Sequence, residues 1–274
     1  MAHRSRLLRI GLDVFGVLLS AIVLVPFYFV IVNSFKTSAD AAQLSLGLPQ
    51  VYRIVDNYRD VFVQGYILTA FKNSVLVTGF SNLMILVFAA MGAFIIQRRN
   101  DKLTRFAWSF ILMGLIMPPS MVTTTLLIKY LGLTPLPGVT FVFTAIQIPL
   151  AVFIYRSFYR SIPRELDEAA ILDGCGLGRL YFQIIFPLIK PVTMTVFVLS
   201  FMEVWNNFSV SLYFLSSVKN YTMPITVYFF FGQYSSSWNL VFADVVLVAL
   251  PIIIVYIFAQ RFIISGMVEG SVKG

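Results

Sequence analysis

Charged residues divide the chain into long apolar windows. Twenty-six residues separate Arg9 from Lys36 and carry one charge, Asp13. Uncharged windows follow: 25 residues between Lys72 and Arg98, 23 between Arg105 and Lys129, and 26 between Lys129 and Arg156. The 28 residues between Lys190 and Lys219 carry only Glu203, and the 41 between Lys219 and Arg261 carry only Asp244. A helix needs about 20 apolar residues to cross the hydrocarbon core of a bilayer. Each window holds one crossing. The last is long only because Asn220 to Asn239 is mixed in polarity. Backbone polar groups in lipid must pair within their own segment, so the crossings are helices. The pattern predicts an all-α integral membrane protein with six transmembrane helices near 12–35, 73–97, 106–128, 138–158, 191–214 and 240–262.

Composition agrees and excludes the other classes. Of 274 residues, 59% are hydrophobic and only 12% charged, against about a quarter charged in an average soluble domain. So few charges cannot form the outer shell of an ordinary soluble enzyme. A disordered chain and a disulfide scaffold are excluded too. With one cysteine, Cys175, and one histidine, His3, no metal-binding motif and no internal disulfide can be assembled.

The net charge of +8 needs no nucleic acid partner, because basic residues accumulate in cytoplasmic loops of membrane proteins. With the N-terminus inside, fourteen Lys and Arg residues fall on the cytoplasmic side and six outside. Both termini are therefore expected in the cytoplasm. Ala39-Asp40-Ala41 resembles a signal-peptide cleavage site, but the apolar run Val14–Val32 has 19 residues. Signal h-regions have about 7–15, so the first segment is expected to stay attached. The longest external segment runs from Lys36 to Phe71 and is expected along the membrane surface. No repeat, low-complexity stretch or linker occurs. A single transmembrane domain, 1–274, is the expected organisation.

The cytoplasmic segment 160–190, between helices four and five, differs from the rest. It mixes charges of both signs with Gly174, Gly176 and Gly178. Pro163 suits a first helical position. Glu165, Asp167 and Glu168 follow in the first turns, where negative charge favours the helix dipole. Ala169 and Ala170 continue the helix, and Gly174 can end it in a left-handed conformation. Leu166, Ala169, Ala170 and Asp173 fall at helical spacing, a face flattened by alanines that another protein surface could approach closely. A second short helix is expected from Leu177 to Phe186, stopping before Pro187.

These residues carry a resemblance. Glu168-Ala169-Ala170, three residues, Gly174, nine residues, Ile184 and then Phe186-Pro187 is similar to the EAA loop of binding-protein-dependent ABC importer permeases. Phe186 stands where a leucine is usual. Phe201-Met-Glu-Val-Trp205-Asn206-Asn207-Phe208 looks like the fifth-helix stretch of the sugar-transporter permeases, with Asn207 in place of a frequent acidic residue. The ending from Gln260 to Gly274, Asn57-Tyr58 and Pro118 also fit. Together they cover essentially the whole chain, which resembles the MalG-like permease subunits of carbohydrate-uptake ABC importers.

The resemblance implies a bacterial or archaeal cytoplasmic (inner) membrane protein that imports a carbohydrate by alternating access. It implies a second homologous permease subunit, two ATPase subunits and an extracytoplasmic solute-binding protein, with ATP and Mg on the ATPase and no cofactor on this chain. Glu165, Asp167, Glu168, Ala169, Ala170, Asp173 and Gly174 would couple to the ATPase. The tail 265–274, with Gly266 and Lys273, would touch the ATPase pair. The chain itself would perform no covalent chemistry. It has no Gly-x-x-x-x-Gly-Lys-Ser/Thr phosphate loop.

Polar residues inside the predicted spans are candidates for the translocation path. Glu203 lies about 20 Å beyond Lys190 along a helix, deep enough to favour a cavity. The amides of Asn206 and Asn207 suit sugar hydroxyls, or equally a neighbouring helix. Asp244 fits exposure to outside water as well as it fits function. Gln147 fits a helix–helix tie, and aromatic runs such as Tyr228–Phe231 fit packing or lipid contact, with stacking on a sugar as the alternative. Cys175 reads as a small residue beside Gly174. An ion-coupled secondary transporter is the alternative, but only Glu203 and Asp244 could serve it and the two halves are not alike. An intramembrane enzyme would need clustered catalytic groups, which the sequence lacks.

Overall fold

The computed structural model describes residues 2–133, 135–231 and 237–271, with side chains between 12 and 260 of these. The main helices are α1 (Ala2–Ser34), α2 (Ile54–Gln64), α3 (Ile67–Arg98), α4 (Lys102–Ile116), α5 (Met121–Tyr130) and α6 (Pro135–Tyr159). They continue as α7 (Glu165–Leu172), α8 (Leu177–Leu188), α9 (Lys190–Asn206), α10 (Phe208–Phe214) and α11 (Trp238–Ser271). No strand element occurs among the described residues. Four stretches are long and apolar enough to cross a membrane: Leu12–Ser34 of α1, α3, α6, and Trp238–Gln260 of α11. α8 and α9 pass the same test together but meet at 75°. The chain divides into two compact units, residues 1–68 with 226–250, and residues 69–225 with 251–274.

In the first unit, α1 exposes its apolar side chains from Leu12 to Val25 and turns polar only at its last turns. There Asn33, Ser34 and the following Lys36 are fully buried. Lys36 Nζ donates to Asn33 Oδ1 (3.0 Å), Ser45 O (2.8 Å) and Ser45 Oγ (2.9 Å). All three donors of the ammonium therefore have acceptors, which offsets the cost of burying it. Asn57 of α2 donates to Ser34 O and Lys36 O, both at 2.8 Å, and accepts from Asn239 Nδ2 at 2.8 Å. One asparagine thus ties the end of α1 and the start of α11 to α2. α2 turns Asn57 and Val61 inward, four residues apart on one face. Burial raises the pKa of the neighbouring Tyr58 phenol, and its hydrogen bond to Ser34 opposes that shift. The segment 36–71, expected outside, is therefore folded around a polar knot. Asn57→Leu would leave two carbonyls and an amide without partners, at about 1–3 kcal/mol for each buried group. The expected result is a clearly lower thermal midpoint for the detergent-solubilised protein. An unchanged midpoint would remove the knot from the account of stability.

In the second unit, α3 packs through small residues. Ala89, Ala90 and Ala93 are buried on one side of it, as at close helix contacts in membranes. They belong to a core cluster with Ile85, Tyr155, Tyr159, Ile162, Ala170, Leu180, Ile185, Val192 and Val196. Tyr159 OH donates to Ala90 O at 3.2 Å. A second cluster joins Val77, Val139, Val142, Phe143, Val204, Val210 and Leu215. Polar ties cross between helices as well. Ser200 Oγ of α9 donates to Asn82 Oδ1 of α3 at 2.6 Å, and Ser81 Oγ donates to Thr140 O of α6 at 3.2 Å. α4 lies against α6 through Trp108, which stacks on Phe153 and carries the Arg156 guanidinium 3.8 Å above its ring.

Proline and asparagine break two of the expected spans. The stretch 106–128 is two helices, α4 and α5, separated at Met117-Pro118-Pro119-Ser120. Met117 takes an extended ψ of 120°, the conformation preferred before proline. The stretch 191–214 is likewise two helices, α9 and α10, broken at Asn207 with ψ 99°. The short helix expected to stop before Pro187 instead runs through it to Leu188. A π-helical turn at Leu180–Ile185 precedes Pro187, and the wider turn makes room for its ring. The chain bends at Ile189 instead.

Candidate functional site

α7 and the loop after it form the most distinctive local structure of the second unit. Glu165, not Pro163, is the first helical residue; Arg164 is the N-cap, and Asp167 N and Glu168 N both bond to Arg164 O. Glu165, Asp167 and Glu168 occupy the first turn, where the free N–H groups and the helix dipole favour carboxylates. The helix ends at Leu172, one residue earlier than expected. Gly174 has φ +79°, Cys175 N bonds to Ala170 O (2.9 Å) and Gly174 N to Ile171 O (3.0 Å). This paired closure with a left-handed glycine is the Schellman arrangement, as the glycine spacing predicts.

The faces of α7 divide the expected residues. Glu165, Glu168, Ala169 and Asp173 are exposed, with Leu172 87% and Ile171 55% exposed beside them. Ala170 is buried in the core cluster with Ile162 and Leu180. Asp167 also turns inward, where Arg98 Nε lies 2.6 Å from Asp167 Oδ2 and Arg98 Nη2 donates to Asp167 Oδ1 at 3.2 Å. The face written as Leu166, Ala169, Ala170 and Asp173 is thus split, with Ala170 facing its own protein. Asp167, Ile171, Leu180 and Tyr181, with Phe94 and Arg98 at the end of α3, also line a groove of about 460 Å³.

The second group of candidates meets at the break between α9 and α10. Asn207 Nδ2 donates to Glu203 Oε1 at 3.2 Å, and Asn207 Oδ1 accepts from Val210 N at 2.9 Å. Asn207 is therefore the N-cap of α10 as well as a partner of Glu203. Glu203 and Asn206 are exposed and Asn207 is half-buried. On the same helix Phe197, Phe201 and Trp205 form an aromatic ladder four residues apart, Phe201 stacked on Trp205 and Phe197 tilted against Phe201, with Phe71 edge-on to Trp205. Lys219 and Tyr221, further on, are held at the start of α3, where Asn73 Nδ2 donates to both carbonyls (2.9 and 3.0 Å).

Asp244, in the first unit, is fully buried and accepts from Thr226 Oγ1 at 2.9 and 3.0 Å, so simple exposure to water does not describe it. Gln147 lines a small cavity with Leu150, Ala151, Ile154, Val196, Leu199 and Ser200. Lys273 lies outside the described residues. Gly266 is described only as helical backbone of α11. Sequence reasoning did not single out Arg98, Asn82 or Asn73. Their partners lie between 69 and 148 residues away, and no local pattern marks such pairs.

Four helices long and apolar enough to cross a membrane, together with an exposed acidic helix that ends at a fixed glycine stop, fit a membrane transport subunit. Residues 85–268 match the family described as "Binding-protein-dependent transport system inner membrane component", and the chain belongs to that family. It is therefore an inner-membrane permease component of an ABC importer, not an enzyme, and works with a partner ATPase and a solute-binding protein. A probable starch degradation products transport system permease protein of Thermoanaerobacterium thermosulfurigenes is 33% identical over 260 residues, covering 94% of each chain. The melibiose/raffinose/stachyose import permease protein of Bacillus subtilis (strain 168) is 32% identical, covering 94% of this chain and 95% of its own. The fold is that of a chain in the crystal structure of a bacterial ABC transporter involved in the import of the acidic polysaccharide alginate. That match has a TM-score of 0.77 at 22% identity, over 93% of this chain and 96% of that one.

Proposed function

We propose that the chain is one half of the translocation path of an importer for a carbohydrate, an oligosaccharide above all. The relatives named for starch products and raffinose-type sugars support the substrate class. In this reading a second homologous permease subunit supplies the other half of the path, and two ATPase subunits hold ATP and Mg. The whole chain forms one permease domain with six spans, of which the third is the broken pair α4–α5 and the fifth the pair α9–α10. Both termini are cytoplasmic. The exposed Glu165, Glu168, Ala169 and Asp173 dock in a cleft of the ATPase. Glu203, Asn206 and Asn207 line the path, and the tail 265–274, with Gly266 and Lys273, touches the ATPase pair.

The observation that carries this reading is α7 itself. An exposed helix with acidic residues, Ala169, Ile171 and Leu172 on its free side and a rigid left-handed stop suits insertion into a protein cleft. ATP must favour one conformer over the other to drive transport, and a docked helix gives it a handle on the spans. The test is uptake into proteoliposomes holding the whole complex with its binding protein. A raffinose-type or maltodextrin-type oligosaccharide should enter only with ATP inside. Uptake that needs an ion gradient and no ATP would sink the reading. Orientation has its own test. A cysteine placed at Gln50 should react with an impermeant thiol reagent from outside and one at Lys102 should not. The reverse pattern would overturn the topology.

A further inference from the structure

We infer that Arg98 is a positioning residue that locks α7 to α3 and makes α3 the lever through which the coupling helix moves the far side of the permease. The inference rests on the docking of α7 proposed above. Three ion pairs occur among the described residues. Arg53–Asp56 and Arg99–Asp101 join near neighbours in the chain and are well exposed. Arg98–Asp167 joins residues 69 positions apart, with the side chains only 12% and 14% exposed.

The geometry suits a joint. The guanidinium meets both oxygens of one carboxylate: Nη2 donates to Asp167 Oδ1 at 3.2 Å, and Nε stands 2.6 Å from Oδ2 as an ion-pair contact. A charge-assisted hydrogen bond and a close ion-pair contact on the same carboxylate hold the two side chains in one orientation. Arg98 Nη1 also donates to Ile162 O at 3.2 Å, just before α7. Arg164 Nη2 returns a bond to Gln97 O at 3.2 Å. The guanidinium lies 5.9 Å from the Phe94 ring, which in turn packs on Tyr159 and Tyr181. The only buried residue of α7 itself is Ala170, whose single methyl could not stop the helix from rotating. The polar pair supplies what the apolar contact lacks.

The other end of α3 is tied as firmly. Asn73 donates to Lys219 O and Tyr221 O, and Met223 N donates to Ser74 Oγ at 2.8 Å. About 38 Å of continuous helix separates Asn73 from Arg98. A displacement of α7 transmitted at Arg98 therefore reaches the connection 215–223 without an intervening flexible segment. Buried ion pairs are poor sources of stability, and an apolar pair would pack as well. Rigid orientation is what this one adds.

The test uses the complete complex with its binding protein. Copurification of the ATPase and ATP-dependent uptake by the unaltered complex come first, and their failure would strike the proposed function alone. Arg98→Met, Asp167→Leu and the double variant are then compared by the ratio of binding-protein-stimulated to basal ATPase, and by uptake. Each single change leaves a buried charge unpaired and is expected to assemble less well. The double variant removes both charges and is expected to assemble normally. Its stimulation ratio should still fall by about tenfold, within the usual range of coupling between sites. The losses should be non-additive, the double being no worse than either single, because one joint is broken only once. Arg98→Lys, which keeps the charge but not the fork, should retain an intermediate ratio. Wild-type stimulation and uptake in the double variant would overturn the inference. Additive losses, or failure of the double variant to assemble, would also overturn it, because the residues would then act separately or only in folding.

Discussion

Gly174→Val should abolish uptake, to below about a tenth of the wild-type rate, while the protein still inserts in the membrane. Gly174 sits at φ +79°, and a side chain with a Cβ resists that region by about 1–2 kcal/mol. Space is not the obstacle, since a Cβ there would meet nothing within 4 Å. The cost falls on the backbone, and with it on the bonds from Cys175 N and Gly174 N that close the helix. α7 would lose its fixed end and its presentation to the ATPase. Gly174→Asn separates this cause from simple bulk, because asparagine adopts the left-handed region far more readily. It should keep most of the uptake. Ala169→Glu acts differently. Ala169 is exposed, so the fold tolerates glutamate, but its bulk and charge would occupy the proposed docking face. Stimulation of the ATPase by loaded binding protein should be lost in Gly174→Val and Ala169→Glu alike. A complex carrying both changes that transports at the wild-type rate would show that α7 is not the coupling element.

The sequence and the structure agree most closely where physics is local. Window lengths between charges predict α1, α3, α6 and α11, because bilayer thickness alone fixes how many apolar residues a crossing needs. The glycine stop of α7 was legible for the same reason, since a left-handed residue is a property of one position. Breaks within apolar windows were less legible. Met117-Pro118-Pro119-Ser120 interrupts a stretch whose hydropathy is continuous, and Asn207 interrupts another. In each case one or two residues override the average of a window. The π-helical turn before Pro187 is still harder to read, because proline usually marks a helix end and here the widened turn lets the helix run on through it.

The site divides in the same way. Its exposed half, Glu165, Glu168, Ala169 and Asp173, follows from helix periodicity and from the resemblance carried by Glu168-Ala169-Ala170 and Gly174. Its inward half does not. Nothing near Asp167 in the sequence distinguishes it from Glu165 or Glu168, two carboxylates of the same turn. What distinguishes it is Arg98, which reaches it from another helix. The polar knot of Lys36, Asn57 and Asn239 has the same character. A lysine of the external loop reads as a solvated charge, yet it is fully buried because Asn33 and Ser45 supply three acceptors. Capping offers an intermediate case. Asp101, before α4, accepts from Thr104 N at 2.8 Å, and that hydrogen bond holds its carboxyl below the ordinary range. The Asp-x-x-Thr spacing is visible in the sequence, but it is a weaker signal than an acidic or amide capping box.

Asn207→Leu should weaken transport more than Asn206→Leu or Glu203→Leu, because Asn207 holds two roles. Its Oδ1 caps α10 at Val210 N and its Nδ2 fixes Glu203 Oε1. Losing an N-cap costs about 0.5–2 kcal/mol, and Glu203 would lose the amide that orients it. Asn207→Ser separates the roles. Serine retains a capping oxygen, but its short side chain cannot bridge to Glu203. If Glu203 and Asn207 line the path, Asn207→Ser should assemble normally and still raise the apparent KM for the oligosaccharide about fivefold, the worth of one hydrogen bond of about 1 kcal/mol. Glu203→Gln keeps the length and an oxygen acceptor for Nδ2, so it should fall between wild type and Glu203→Leu. Asn206→Leu, one position from the cap and exposed, tests the path without touching the break. Unchanged uptake kinetics in Asn206→Leu, Glu203→Leu and Asn207→Ser, with only Asn207→Leu impaired, would assign Asn207 to the fold of α10 and remove all three residues from the path.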